Sequence, residues 1–214
     1  MDNNEILDSL ITRYPKLIVC RDDILMAFQT LKTTFLNGNK LLIAGNGGSA
    51  ADCEHIAGEL LKSFRIKRQT VNSEVADKLA DRYGEDGTAL AAKLECALPA
   101  IPLPSITSLN TAFANDVDPY VAFAQLVYAL GSEGDALLAI STSGNAQNVV
   151  NAVMAANATN IRTIGLTSFS GGKLVKLCDI TICAPSTETY AVQEYHMPIY
   201  HALCAMLEEE FFSA

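Results

Sequence analysis

The chain has 214 residues, of which 50% are hydrophobic and 18% are charged, and its net charge is −9. This composition is typical of a globular protein that buries a full core, and the negative charge disfavours general binding to a nucleic-acid backbone. No apolar stretch is long enough for a membrane span, and the N-terminal residues lack the features of a signal peptide, so the sequence predicts a cytoplasmic protein.

Two helices are predicted at the start of the chain, over residues 4–13 and 17–36. The second ends before Gly38, because glycine followed by polar residues commonly terminates a helix. Together these helices are expected to form an N-terminal cap over residues 1–38.

Short apolar runs then alternate with helical patterns. Each run is apolar at successive positions, as expected for a strand covered by helices on both faces. The pattern predicts an open, mostly parallel α/β sheet in one domain of residues 1–214. The predicted strands are 40–44, 100–107, 136–140, 163–166 and 179–183, and the predicted helices are 49–64, 119–130, 146–156 and 189–212.

Residues 65–99 interrupt this alternation. The segment begins with the basic residues Arg65, Lys67 and Arg68 and continues through two charged, weakly amphipathic stretches. We interpret it as a helical insertion rather than a second domain. The six cysteines of the chain are scattered and form no CxxC pair, which favours reduced thiols in the core.

Two loops have the composition of anion-binding loops. Residues 45–49 (GNGGS) follow the first predicted strand, and residues 141–145 (STSGN) follow the third. Each leads into a helix, so backbone N–H groups and the helix N-terminus are directed to one spot. Either loop alone is also compatible with a tight turn or a helix cap. Because neither GxGxxG nor GxxxxGK[ST] is present, a small phosphorylated metabolite is favoured over a nucleotide.

All three histidines fall within two predicted helices. His55 and Glu59 are four residues apart, so their side chains project from one face of the helix. With His201 and Gln193 they form a plausible metal-ligand set or an acid/base pair. His196 is not expected on the same face as His201, and we interpret it as a core histidine. Pro198 lies in the same predicted helix, which we expect to bend locally.

Three motifs resemble, in order and spacing, those of the phosphoheptose isomerase branch of the sugar-isomerase (SIS) domain family. The first is GNGGSAAD at residues 45–52 with His55 and Glu59, the second is STSGN at residues 141–145, and the third is QEYH at residues 193–196 with His201. The resemblance covers most of the chain except for the stretch between Glu59 and Ile101.

The resemblance implies a three-layer, flavodoxin-like fold with a five-stranded parallel sheet. It also implies a homotetramer with active sites between subunits and a phosphorylated sugar as substrate. The charge and the absence of a long apolar stretch predict no nucleic-acid or membrane partner. Glu59 and His201 are the implied acid/base pair, and zinc is implied as a possible cofactor with His55, Glu59, Gln193 and His201 as ligands. The implied substrate-binding residues are Asn46, Gly47, Ser49, Asn115, Asp116, Ser141, Thr142, Ser143, Asn145 and Gln193.

The expected function is aldose–ketose isomerisation of sedoheptulose 7-phosphate or a similar ketose phosphate through an enediolate. One alternative is a non-catalytic SIS tetramer that binds sugar phosphates or proteins. Another is an isomerase or deaminase of a different phosphosugar. The presence of both Glu59 and His201 favours catalysis, because a protein that only binds the phosphate would need only the serine loops.

The chain departs from the family pattern just before Gln193. Family members often carry a basic residue there, where this chain has Tyr190, Ala191 and Val192. The basic run at residues 65–68 either replaces that charge or lies on a solvated surface. The substrate is therefore the least constrained part of the prediction.

Overall fold

The computed structural model describes residues 2–70 and 72–213. Its centre is a sheet in which each neighbouring pair of strands is parallel, in the order β2-β1-β3-β4-β5. This confirms the predicted fold class. The strands are β1 (Leu41–Ala44), β2 (Ala100–Pro102), β3 (Ala136–Ile140), β4 (Arg162–Ser168) and β5 (Ile180–Ala184).

Helices cover both faces of the sheet, so alternate side chains of a strand enter different cores. Leu41 and Ile43 pack into one core with the first, second, third and last helices, whereas Leu42 and Ala44 pack into the other. The result is a three-layer α/β structure. The helices are α1 (Asn3–Arg13), α2 (Arg21–Leu36), α3 (Gly48–Leu61), α4 (Ser73–Ala91), α5 (Thr107–Asp116), α6 (Ala122–Leu130), α7 (Gln147–Ala158), α8 (Leu174–Leu177) and α9 (Thr189–Phe212).

The strand prediction for residues 100–107 is wrong beyond Pro102. Proline has no N–H with which to continue the ladder, and Leu103–Ser105 form a 3-10 turn that leads into α5.

The single helix predicted for residues 17–36 is also wrong at its start, since Pro15–Cys20 form a separate 3-10 helix. The short helix α8 was not predicted. Helix α9 runs without interruption through Pro198.

The insertion is helical, as predicted. Helix α4 has a non-helical residue, Gly84, with φ 59°, where the chain kinks. Gly87 and Ala91 are its buried residues.

Both sequence interpretations of Arg68 are wrong, because its guanidinium is neither solvated nor free for a substrate. The side chain is 0% exposed and forms an ion pair with Glu208 of α9, with Nε 3.0 Å from Oε1. Local sequence indicates a surface charge here, but the partner lies 140 residues away.

The described residues include no helix that is both long and apolar enough to cross a membrane. The six cysteines are free thiols, as predicted. Cys20, Cys53 and Cys204 are buried in the core, whereas Cys96, Cys178 and Cys183 are half-buried.

Candidate active site

The site begins at the point where the strand order reverses. After β1 the chain enters α3 on one face of the sheet, and after β3 it enters α7 on the other. In open α/β sheets this reversal leaves a crevice at the carboxyl ends of the two strands, where ligands bind. Both glycine- and serine-rich loops end in this crevice.

The first loop turns sharply into α3. Gly47 precedes the helix with φ 56° and ψ −122°, a conformation that glycine adopts without strain. The N–H of Ser49 donates to the carbonyl of Asn46 at 3.0 Å, and Ser49 is 3% exposed. Gln193 of α9 packs against Gly48, where an added Cβ would collide with its amide. The structure therefore brings Gln193 to the N-terminus of α3.

The second loop is held by its own asparagine. The side chain of Asn145 donates to the carbonyl of Ser143 at 2.8 Å and accepts the N–H of Lys173 at 3.1 Å. Ser141 is buried, Thr142 is half-buried and Ser143 is exposed. Asn145 thus uses both ends of its amide to shape the loop, while the exposed Ser143 stands at the crevice.

Sequence reasoning missed Asn148, which connects the two loops. Its side chain and that of Asn46 exchange two hydrogen bonds, of 2.9 and 2.8 Å, across the crevice. Both asparagines line a cavity of about 250 Å³, together with Gly45, Gly47 and Asn110. Asn148 lies three residues after the STSGN loop in the sequence, which was the available signal for a role at the site. Its pairing with Asn46 could not be predicted, because it depends on β1 and β3 being neighbours in the sheet.

The predicted substrate residues Asn115 and Asp116 are on a different element from the loops. They occupy the exposed end of α5, where the amide of Asn115 donates to the carboxylate of Asp116 at 2.8 Å. Among the described hydrogen bonds, none joins either residue to the two loops.

Three predicted functional side chains meet where α3 packs against α9. The Nε2 atom of His55 lies 3.2 Å from Oε1 of Glu59 and 3.5 Å from Nε2 of His201. The Glu59 side chain is 14% exposed, so it is shielded but reachable. The structure therefore brings the predicted acid/base residues and a predicted zinc ligand together within one chain.

Charged neighbours surround this cluster. Lys62 lies one turn beyond Glu59, with its Nζ 3.1 Å from Oε2, and the sequence analysis did not identify it. Burial and the nearby His55 lower the pKa of His201, although Glu59 acts in the opposite direction. A cavity of about 330 Å³, lined by Arg13, Phe64 and Arg65, opens beside His201.

His196 has the structural role predicted for it. It is fully buried, its Nε2 lies 3.3 Å from the carbonyl of Thr167, and burial lowers the pKa of His196 to about 4.

A cavity of about 620 Å³ at the opposite edge of the sheet, lined by Asn157, Arg162 and Asp179, contains none of the predicted site residues.

Comparison with known proteins gives a consistent result. The SIS domain family model matches residues 19–168. The chain is 40% identical over 178 residues to the phosphoheptose isomerase of Aneurinibacillus thermoaerophilus, covering 83% of this chain and 76% of that protein. It is similar in structure to the phosphoheptose isomerase of Neisseria gonorrhoeae (TM-score 0.72, 30% identity, 94% and 93% of the two chains). The Francisella tularensis enzyme gives a TM-score of 0.74 at 28% identity, with 96% of each chain covered.

Proposed function

The chain belongs to the SIS domain family, in the branch of the phosphoheptose isomerases, and we propose that it converts sedoheptulose 7-phosphate into its aldose isomer. The family predicted from the three motifs is thereby confirmed, and the chain is an isomerase of sugar phosphates. The observation that carries the proposal is that Glu59, on the helix that begins at a phosphate-type loop, and His201, on α9, both contact His55.

The two halves of the site are separated along α3. Glu59 is ten residues beyond Ser49, which corresponds to about 15 Å at 1.5 Å per residue. A ligand that engages both must carry its phosphate and its carbonyl group at opposite ends of a carbon chain. This spacing supports a long ketose phosphate over a short one.

The phosphate end is bound by loop donors in this proposal. Backbone N–H groups at the start of α3 and the hydroxyls of Ser49, Ser141, Thr142 and Ser143 surround the anion, since a helix N-terminus favours negative charge. Gln193 lies next to the same helix start and orients the sugar. We keep Asn115 and Asp116 as proposed substrate ligands, which must approach from α5.

The carbonyl end is handled by the acid/base pair. Glu59 removes the proton from C1 or C2 and returns it to the other carbon, while His201 protonates or polarises the oxygen of the enediolate. Lowering of the pKa of His201 keeps its ring neutral near pH 7, so one ring nitrogen remains a hydrogen-bond donor. Lys62 adds positive charge beside Glu59.

The side chains at this end fit a zinc ion. A tetrahedral zinc with nitrogen or oxygen ligands at ~2.0–2.1 Å keeps its donors roughly 3.3 Å apart, and the two separations from His55 Nε2 are 3.2 and 3.5 Å. Among the described residues, however, no group of three or more His, Cys, Asp or Glu forms a ready-made metal site. Bound zinc would act as a Lewis acid toward the substrate oxygen. We propose His55, Glu59 and His201 as ligands, with Gln193 moving from Gly48 to join them.

Glu59 and His201 cannot serve as zinc ligands and transfer protons through the same lone pair at the same moment. Each of these two residues would therefore bind zinc or transfer a proton at a given time, and His55 would be the ligand without an acid/base role.

The His55→Ala variant is expected to lose zinc, because it removes the donor nearest to both other ligands. Metal analysis of purified wild-type and variant protein measures this. Glu54→Gln, one residue earlier on α3, is the control and should keep the wild-type zinc content. An unchanged content in His55→Ala would remove His55 from the ligand set.

The Ser143→Ala variant is expected to raise KM by about 10-fold or more with a smaller effect on kcat, because a hydrogen bond to a charged group contributes about 1.5–3 kcal/mol. Steady-state kinetics with the phosphosugar measure this. Ser132→Ala, an exposed serine at the opposite edge of the sheet, is the matched control. Equal KM values for both variants would contradict phosphate binding by this loop.

The substrate proposal is tested with a panel of five- to seven-carbon sugar phosphates, with and without zinc. NMR follows deuterium exchange at C1 of each ketose phosphate and at C2 of each aldose phosphate, and unphosphorylated sedoheptulose is the control. Exchange that is fastest with sedoheptulose 7-phosphate supports the proposal, and faster exchange with another sugar identifies the isomerase alternative. Binding without exchange for every sugar would favour the non-catalytic alternative.

We also propose a homotetramer, in which a second copy completes the site. Helix α5 has no buried residue, and Val117, Tyr120 and Tyr128 are 64%, 57% and 71% exposed. These exposed apolar side chains on and after α5 support an interface between copies of the chain. Light scattering of the eluted protein measures the assembly.

The cytoplasmic location expected from the sequence stays a prediction.

A further inference from the structure

Behind the acid/base cluster, a buried tyrosine hydroxyl joins two other side chains. Tyr200 is 1% exposed, and its Oη lies 3.2 Å from Oδ1 of Asp52 and 3.1 Å from Nδ1 of His55. We propose that Asp52 and Tyr200 are positioning residues, which fix the hydrogen of His55 on Nδ1 and so direct the Nε2 lone pair toward Glu59 and His201.

Counting hydrogens gives the direction of each bond. A tyrosine hydroxyl has one hydrogen to donate, and a carboxylate oxygen can only accept. Because the hydroxyl donates to Asp52, its remaining contact with Nδ1 of His55 must be one in which the oxygen accepts. Nδ1 of His55 therefore carries the hydrogen.

The tautomer of His55 follows from this. A neutral imidazole has a single N–H, so Nε2 is left with a lone pair. Packing keeps the ring in place, since His55 and Tyr200 meet edge-to-face with centroids 5.5 Å apart, and His55 and His201 do so at 4.9 Å. The lone pair therefore stays on Nε2, and the packing of the ring fixes its direction.

The consequence lies on the other side of the ring. The Nε2 lone pair of His55 faces a carboxylate oxygen of Glu59 at 3.2 Å. Two lone pairs at this distance repel each other unless a proton or another cation lies between them. A histidine whose other nitrogen donates to an oxygen acceptor is also the usual arrangement of a metal ligand. The Asp52–Tyr200 pair therefore prepares His55 to hold a cation.

The inference extends the zinc part of the proposed function, and the role of the tautomer in metal binding rests on that proposal. The tautomer itself is a property of this chain alone, and it is measured without any sugar. A failure of the isomerase assay and a failure of this inference are therefore distinguishable.

The first experiment is long-range ¹H–¹⁵N correlation NMR on zinc-free protein labelled at its three histidines, at a pH where His55 is neutral. Signals are assigned with His201→Gln and His196→Gln variants. We expect Nδ1 of His55 to have the shift of a protonated nitrogen and Nε2 that of an unprotonated one. The reverse assignment would overturn the proposal, whatever the variants do.

The second experiment uses Tyr200→Phe, which removes one hydroxyl and keeps the ring. We expect the Nδ1–H preference of His55 to be lost and the zinc dissociation constant to rise about 10- to 100-fold, the usual effect of removing a partner behind a metal ligand. Tyr195→Phe on the same helix is the matched control, with wild-type tautomer and zinc affinity. A Tyr200→Phe protein that keeps both wild-type properties would contradict the role of Tyr200.

Discussion

Replacing Glu59 with glutamine is expected to reduce the rate of proton exchange at C1 of the ketose substrate by about 10²- to 10⁴-fold, the usual contribution of a positioned general base. The amide has the size of the carboxylate but cannot accept the carbon-bound proton. Because Oε1 of Glu59 faces His55 at 3.2 Å, the variant also removes charge from the proposed zinc site. Exchange at C1 of the ketose by NMR and zinc content must therefore be measured on the same sample.

A matched control is available on the same helix. Glu54 is exposed, and its carboxylate accepts a hydrogen bond of 2.8 Å from the hydroxyl of Ser105. Glu54→Gln makes the same chemical change on α3 but away from His55 and His201, so its exchange rate should equal that of the wild type. If Glu59→Gln with normal zinc content exchanges protons at the wild-type rate, Glu59 is not the base.

The sequence predicts the acid/base cluster only in part. His55 and Glu59 share a face of one helix because they are four residues apart, which is a local property. That His201 reaches them depends on the packing of α3 against α9, and the sequence indicates this only through the family resemblance. Asp52 entered the sequence analysis only as the last residue of the GNGGSAAD motif, without a role. Tyr200 gave no signal, because a tyrosine in an apolar helix is an ordinary feature of a core.

The errors in the fold prediction have a similar cause. Apolar residues of segment 100–107 fit a strand, but Pro102 and Pro104 shorten it and α5 follows. Arg68 belongs to a basic run, and local charge indicates solvent exposure. Its burial is decided by Glu208, a partner that local patterns do not reveal. Long-range pairings are therefore what the sequence left unpredicted in this chain.

Replacing Glu208 with glutamine is expected to lower the free energy of unfolding by about 3–5 kcal/mol, because it leaves the buried Arg68 charge without its partner. Urea denaturation measures this at a fixed protein concentration, with an expected fall in midpoint on the order of 1–2 M. Glu74→Gln is the control, since Glu74 and Lys78 form an ion pair in which both side chains are more than 70% exposed. Its effect should stay within about 0.5 kcal/mol.

The effect of Glu208 should also depend on pH. Burial opposes ionisation, but hydrogen bonds from three backbone N–H groups and Arg68 hold the pKa of Glu208 below its ordinary value. The stability it contributes is therefore present above the unfolded pKa of about 4.3 and is lost as pH falls through the lower folded value. Wild type and Glu208→Gln should converge in stability at acidic pH. A difference that stays constant from neutral pH to acid would contradict an ionised Glu208.

A double variant, Arg68→Met with Glu208→Leu, separates the ion pair from the backbone contacts. Buried ion pairs can often be replaced by apolar residues without loss of stability. Here we expect little recovery, because Glu208 also accepts the N–H groups of residues 64, 65 and 66 at 2.6–3.0 Å. Arg68 in turn donates to the carbonyls of Glu59 and Leu60 at the end of α3. Wild-type stability in the double variant would show that the backbone contacts contribute little and that Glu208→Gln is destabilised only by the unpaired Arg68 charge. Continued destabilisation would show that these contacts fix the end of α3, and with it Glu59, against α9.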